Sequence, residues 1–294
     1  MISRRLIAGA LLAIATLFVQ PVMAQTAGTP DDVAGMSRER MARIAPVMKE
    51  QIAKGTFPGA VTLIARRGQI VHHELHGFLD AQKSKPMTKD ALFRLASMTK
   101  PIVSVAAVIL IEQGAMKLND PITIWLPELK DLKVETRKID SYGQVTTEDV
   151  PLTRPIWVQD RLRHTAGFVY AGSTKSPRIK EMYDKANIEA RETDITGDAM
   201  LKALGQIPVA HQPGTFWEYS IAVDVLGLLL ERVTEKPLDR LLKEMLLDPL
   251  SMKDTAFWVP KEDRRVVERH RPHCSRPCPT RCAQRPGVRG HHQG

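Results

Sequence analysis

The order in which strand-like and helix-like segments follow one another most constrains how this chain can fold. Residues 59–65 and 69–77 are rich in β-branched and aliphatic side chains, and they flank the turn sequence Arg66-Arg67-Gly68. This pattern predicts an antiparallel hairpin. From about 100 to 250 the periodicity is mostly helical. Strands followed by a long helical stretch predict an α+β fold, in which later strands would return to complete the sheet.

The helical segments differ in how much of their surface is apolar. Residues 37–54 show a helical spacing that ends at Gly55, and residues 101–113 are nearly all apolar and end at Gly114. A helix that is apolar on every side is expected to be buried on every side. Further predicted elements are helices over 157–163, 195–204, 223–233 and 238–247, a surface hairpin within 132–150, and a strand beginning at 256–259.

The last part of the chain differs from the rest in composition. Residues 263–294 consist largely of Arg, Pro, His, Cys and Gly, with few aliphatic residues, which predicts disorder. The spacing of Cys274, Cys278 and Cys282 matches no common zinc pattern. Out-of-frame translation of GC-rich DNA explains this composition better than a metal site. The C-terminal sheet strands are then expected to be missing.

The N-terminus is typical of an export signal. Arg4 and Arg5 precede an apolar stretch over 6–19, and small residues before Ala24 form a cleavage site. The apolar stretch is short for a membrane-spanning helix, which needs about 20 residues. The sequence therefore predicts a signal peptide over 1–24, a flexible leader over 25–36, and a periplasmic or secreted protein with no stable membrane anchor after cleavage.

Eight of the nine net positive charges come from the two ends of the chain. Residues 25–264 contain 33 basic and 32 acidic side chains, and no basic run interleaved with aromatics. This distribution argues against nucleic acid as a partner.

Ser97 and Lys100 form a Ser-x-x-Lys sequence immediately before the apolar helix. Three residues apart on a helix, the two side chains share one face, and partial burial would lower the pKa of the lysine so that it could accept the serine proton. The alternative is a serine that only caps the helix. Tyr219, after the turn Pro213-Gly214, is either a core tyrosine or a proton relay beside the pair.

Four segments resemble the serine β-lactamase superfamily, and they are most similar to class C-like β-lactamases and family VIII carboxylesterases. They are 93–100 (FRLASMTK), 162–167 (LRHTAG), 213–220 (PGTFWEYS) with 224–227 (DVLG), and 248–255 (DPLSMKDT). The resemblance covers about 37–262, and this range is interpreted as one incomplete hydrolase domain.

The resemblance implies a β-lactamase/transpeptidase-like fold, an antiparallel sheet with an inserted helical region. It also implies that Ser97 is the nucleophile, Lys100 its base and Tyr219 the proton relay. The backbone N–H of Ser97 would supply one oxyanion donor. Ile221 stands where class C enzymes have an asparagine, which favours an esterase or amidase over a β-lactamase. The strand that carries the third motif and the second oxyanion donor does not follow Val259.

The sequence thus predicts an exported serine hydrolase that cleaves small esters, amides or peptides through a Ser97 acyl-enzyme. No metal or organic cofactor is expected, and the oligomeric state stays open. Two alternatives remain: a catalytically impaired member of the same family, and a penicillin- or peptide-binding protein that acylates without turnover.

Overall fold

The computed structural model describes residues 32–139, 141–189 and 195–259. These residues fall into two compact units, one up to Ala91 and one from Leu92 onward. The predicted signal peptide, most of the predicted leader and the predicted tail lie outside the described residues. The boundaries of the predicted hydrolase domain stay a prediction.

The first unit contains the predicted hairpin. Its elements are β1 (Asp32–Val33), β2 (Met36–Ser37), α1 (Arg38–Met41), α2 (Ile44–Ala53), β3 (Gly59–Arg66) and β4 (Gln69–Gly77). β3 and β4 pair antiparallel, with a register shift between Ile64 and Ala65. The prediction of a single helix over 37–54 is wrong, because the helix is interrupted at Ala42 and Arg43. Pro46 has no N–H to bond Ala42, and its ring crowds that carbonyl, so one continuous helix cannot form.

The second unit is mostly helical. Its helices are α3 (Thr99–Glu112), α4 (Val158–Leu162), α5 (Pro177–Lys185), α6 (Gly197–Leu204), α7 (Ala222–Thr234) and α8 (Leu238–Leu242), the last followed by a π-helical turn over Lys243–Leu247. A second antiparallel hairpin, β5 (Lys133–Ile139) with β6 (Val145–Pro151), confirms the predicted surface hairpin. The mixed α+β class is therefore confirmed. None of the described helices is both long and apolar enough to cross a membrane.

The core of the second unit is built around α3, which packs against α7 and α8. The α3 side chains that face this core are buried, namely Val103, Ala106, Ala107 and Leu110. The prediction that this helix is buried on all sides is wrong, since Val105 is 45% and Val108 53% exposed. Within the described residues, neighbouring helices cover only one side of α3.

Two further elements differ from the sequence-based predictions. The helix α5 was missed, although Ser176 caps it and Pro177 occupies its first position. These are ordinary start signals for a helix. Residues 256–259 form no strand, because a strand needs a hydrogen-bonded neighbour and no described segment pairs with them.

Candidate active site

Ser97 lies in a 3-10 turn (Ala96–Met98) that leads directly into α3. The N-cap position of α3 is Met98, and no side chain caps that end. Ser97 therefore does not serve as the helix cap, which removes the alternative structural explanation for it. Ala96 has a φ of 46°, in the left-handed region that residues with a Cβ rarely adopt. Such strain beside an exposed serine is typical of functional positions.

Lys100 lies on the first turn of α3, half-buried, and its Nζ donates a hydrogen bond to Tyr170 Oη at 3.0 Å. Burial pushes the pKa of Lys100 down, but hydrogen bonding to Tyr170 and Tyr219 outweighs burial and raises the pKa above its usual range. The expectation of a lowered lysine pKa is therefore wrong, because two phenol oxygens stabilise the ammonium form. Lys100 is a cation in this site.

Tyr219 lies close to both the serine and the lysine. Hydrogen bonding to Ser97 is the largest influence on its phenol and lowers the pKa, and Lys100 lowers it further through a hydrogen bond and its charge. Lys100 Nζ is 5.0 Å from the centre of the Tyr219 ring. The structure therefore brings together the three side chains that the sequence singled out, and it makes Tyr219 the more acidic phenol of the site.

Tyr170 is a site residue that the sequence reasoning missed. Its ring centre is 5.6 Å from that of Tyr219, and its hydroxyl accepts the Lys100 hydrogen bond. Burial raises the pKa of Tyr170, and this effect exceeds the opposing influence of Lys100. The two phenols thus differ in acidity, since one is buried and the other is bonded to the serine. The position of Tyr170 three residues after Gly167, in the loop that follows α4, was the sequence signal that could have identified it as a site residue.

The loop after α4 holds the Tyr219 segment in place. His164 has a φ of 55°, its carbonyl accepts from Glu218 N at 3.0 Å, and its Nδ1 accepts from Ser220 N at 3.2 Å. Burial and the nearby positive charge of Lys100 lower the pKa of His164. A neutral imidazole leaves Nδ1 free to accept this backbone bond. His164 therefore positions Tyr219, with ring centres 4.8 Å apart.

A buried carboxylate anchors the same loop. Asp160 is fully buried and accepts two hydrogen bonds from Arg154, at 2.7 and 2.9 Å, and one from Thr165 Oγ1 at 3.0 Å. Burial alone would raise the pKa of Asp160, but its hydrogen bonds, including one from Trp157 N, hold that pKa below its usual range. The ionised carboxylate thus fixes the start of the loop that carries His164.

A cavity of about 690 Å³ opens beside the cluster. Tyr170 and Tyr219 form part of its wall, together with the exposed aromatic rings of Phe216 and Trp217. Acidic and basic side chains complete the lining, among them Glu135, Arg137, Lys175 and Glu218. The two phenols therefore face a space large enough for a small molecule, with apolar surface beside them, whereas Ser97 and Lys100 are not among the residues that line it.

Ile221, which departs from the class C pattern, is only 2% exposed and belongs to the core. It therefore offers no surface to the cavity. The second oxyanion donor was predicted to be absent after Val259, and that prediction concerns residues outside the described part of the chain. Ser97 N–H stays the predicted first donor.

The site is of the class that brings a serine, a lysine cation and two phenols together on a mixed α+β scaffold. The comparisons with known proteins agree with this class. The Beta-lactamase family model matches residues 42–288, and the chain belongs to that family.

Named relatives of the chain include esterases. It is 33% identical over 238 residues to Esterase EstB of Burkholderia gladioli, covering 78% of this chain and 54% of that protein. It is 30% identical over 221 residues to the lovastatin esterase of Penicillium rubens, covering 73% of this chain and 53% of that protein. The chain thus spans about half the length of the curated relatives it matches.

Solved structures confirm the β-lactamase/transpeptidase-like fold. EstCE1, described as a hydrolase with promiscuous acyltransferase activity, superposes with a TM-score of 0.66 at 29% identity, covering 78% of this chain and 56% of that chain. A penicillin-binding protein homologue from Pyrococcus abyssi superposes with a TM-score of 0.57 at 20% identity, covering 77% of this chain and 47% of that chain. At that identity the likeness concerns the fold alone.

Proposed function

We propose that the protein is a serine hydrolase that cleaves small esters or amides through an acyl-enzyme on Ser97. The observation that carries the proposal is the position of Tyr219, whose ring centre lies 5.0 Å from Lys100 Nζ and whose phenol is close enough to Ser97 and Lys100 for both to lower its pKa. This arrangement supplies a nucleophile together with a base of lowered pKa, which is what nucleophilic catalysis by serine requires.

The raised pKa of Lys100 changes the roles that the resemblance implied. Lys100 keeps its proton and stabilises the phenolate of Tyr219, which takes the proton of Ser97 as Oγ attacks the substrate carbonyl. The tetrahedral oxyanion then collapses, the bond to the leaving group breaks, and Tyr219 returns the proton to the leaving oxygen or nitrogen. In the second half of the reaction water attacks the acyl carbon while Tyr219 accepts its proton. The bond between the acyl carbon and Ser97 Oγ then breaks, and Tyr219 returns the proton to Ser97 Oγ.

Tyr170 is expected to hold the lysine rather than to exchange protons with the substrate. Its pKa is raised, so its hydroxyl stays neutral and accepts the Lys100 hydrogen bond through the reaction. The Ser97 N–H, at the start of α3, would donate to the oxyanion, and a missing second donor would lower the rate about a hundred- to thousandfold.

The cavity and the relatives favour esters with an apolar acyl or alcohol group. Phe216 and Trp217 offer apolar surface next to the phenols, and two of the relatives are named as esterases. We also propose that the chain is exported to the periplasm or secreted after cleavage behind Ala24, on the basis of Arg4, Arg5 and the apolar stretch that follows.

A labelling experiment with the full chain tests this proposal. A fluorophosphonate probe and a fluorescent penicillin are expected to label the wild type but not Ser97→Ala. Hydrolysis of a p-nitrophenyl short-chain ester then distinguishes turnover from a stalled acyl-enzyme. Labelling without turnover would favour the binding protein, and no labelling of folded protein, as judged by circular dichroism, would refute the proposed activation of Ser97.

A further inference from the structure

Two imidazoles and one carboxylate converge on one face of the first hairpin, in the unit that does not contain Ser97. His72, Glu74 and His76 alternate along β4, so their side chains project from the same face of the strand. One ligand atom from each lies within 4.8 Å of the others. On the neighbouring strand Thr62 pairs with Glu74, at the centre of the group.

Both imidazoles direct a nitrogen to one point. Thr62 Oγ1 lies 2.7 Å from His72 Nε2 and 2.9 Å from His76 Nε2. The hydroxyl has one proton, so it donates to one ring and accepts from the other. The two histidines are only 7% and 6% exposed, so their orientations are fixed by packing as well as by Thr62.

The carboxylate completes the group from its open side. Glu74 Oε1 is 3.7 Å from His72 Nδ1, which is longer than a hydrogen bond, and the Glu74 side chain is 43% exposed. The carboxylate can therefore turn toward either imidazole, and an ion can reach the group past it. One nitrogen of each buried imidazole and one oxygen of the partly exposed carboxylate thus lie within 4.8 Å of one another, while the Thr62 hydroxyl occupies the point that both Nε2 atoms face.

We propose that this face of the hairpin binds one divalent transition-metal ion of the zinc type, through His72, Glu74 and His76. Two imidazoles and a carboxylate are a common donor set for zinc, whereas magnesium and calcium prefer oxygen donors alone. Tetrahedral zinc with bonds near 2.1 Å needs donors about 3.4 Å apart. Binding would therefore require the group to contract from 4.8 Å, with the two imidazoles leaving their present hydrogen bonds to Thr62. The fourth position is left for water or for Thr62.

A bound ion would stabilise the folded hairpin, and this role is independent of the proposed hydrolase activity. The chain offers a matched control in His73, which is on the same strand, points to the opposite face and is exposed. The three cysteines at 274, 278 and 282 could bind zinc by themselves. All variants are therefore made in a full-length chain with these cysteines replaced by serine.

The experiment is equilibrium dialysis against Zn²⁺, combined with thermal unfolding in the presence of Zn²⁺ or a chelator. The cysteine-free chain is expected to bind one equivalent and to unfold at a higher temperature with the ion. Glu74→Gln keeps the size of an exposed side chain and is expected to weaken this binding at least tenfold. His76→Gln is expected to abolish it, and His73→Gln is expected to leave it unchanged.

Binding that is absent, or that survives Glu74→Gln and His76→Gln undiminished, overturns the proposal and leaves His72 and His76 as hydrogen-bond partners of Thr62. If His76→Gln fails to fold, Glu74→Gln decides by itself. Thr62→Val provides a second measurement, since it removes the shared hydroxyl but none of the three proposed ligands. A bound zinc equivalent is expected to persist in Thr62→Val, and its loss there counts against the proposed donor set.

Discussion

Arg161 is the side chain whose replacement is expected to change stability most in the favourable direction. It is fully buried, and no described residue accepts a hydrogen bond from Nε, Nη1 or Nη2. The neighbouring carboxylate, Asp160, is already bonded to Arg154 on both oxygens. The guanidinium lies over the Phe168 ring, 4.1 Å from its centre, and the charges of Asp160 and Tyr183 oppose part of the effect of burial on its pKa.

The magnitude follows from the pKa. Burial lowers the pKa of Arg161 to about 9, and at about 1.4 kcal/mol for each tenfold change the charged form loses roughly 5 kcal/mol on folding. The ring contact with Phe168 returns about 1–2 kcal/mol of this. Replacing buried charged groups, as ion pairs, by apolar side chains of similar volume is often neutral or stabilising, by up to about 4 kcal/mol. Arg161→Met is therefore expected to stabilise the fold by about 2–4 kcal/mol.

Thermal and urea unfolding at pH 7, followed by circular dichroism, measure this difference. For a protein of this size the expected change corresponds to a Tm higher by roughly 5–15 °C. Because the lowered pKa belongs to a base, the advantage of Arg161→Met is full below about pH 9 and shrinks as pH rises above it. Arg161→Lys keeps the charge and is expected to gain nothing, and Arg163→Met, at an exposed side chain, is expected to change stability by less than about 1 kcal/mol. A wild type as stable as Arg161→Met would refute the reasoning.

Three further outcomes are expected. Tyr170→Phe removes the acceptor of the Lys100 hydrogen bond and should lower kcat/KM for a p-nitrophenyl ester about tenfold or more, with the folded state retained by circular dichroism; unchanged kinetics would contradict the positioning role. The rate of fluorophosphonate labelling, measured from pH 6 to 10, should rise with pH, and the midpoint of this rise should lie below the usual phenol pKa of 10. Tyr219→Phe should abolish the rise. Asp160→Asn should cost about 3–5 kcal/mol in urea unfolding at pH 7. Since the pKa of Asp160 is lowered, that difference should disappear as pH falls below about 4, and a difference that stays constant would contradict it.

Much of the local structure could be read from short sequence patterns. The hairpin β3–β4, the helix α3 and the segments around α4, α6 and α7 are where periodicity and turn residues place them. The errors have local and nonlocal causes. Pro46 splits the first helix through its missing N–H, a local signal that the helical spacing concealed. The exposure of Val108 depends on which neighbours pack against α3, and no periodicity within the helix contains that information.

In the candidate site, too, some residues could be found from local sequence patterns and others only from the folded structure. Ser97, Lys100 and Tyr219 were identified from motifs, because each lies in a short segment with a recognisable neighbourhood. Tyr170 was missed, since it becomes a site residue only when the loop after α4 folds back against the Tyr219 segment. Its hydrogen bond to Lys100 links residues 70 positions apart in the sequence.

The sequence by itself determined the family resemblance and the order of strands and helices, and it singled out Ser97 as the predicted nucleophile. These properties depend on residue types at close spacing, which local patterns preserve. Only the tertiary structure decided the charge of Lys100, the lowered pKa of Tyr219 and the unpaired burial of Arg161. The protonation state of a side chain and the free energy of burying its charge depend on its distances to groups that are far apart in the sequence. They also depend on how completely water is excluded. Only the packing of the folded chain sets these distances and this exclusion.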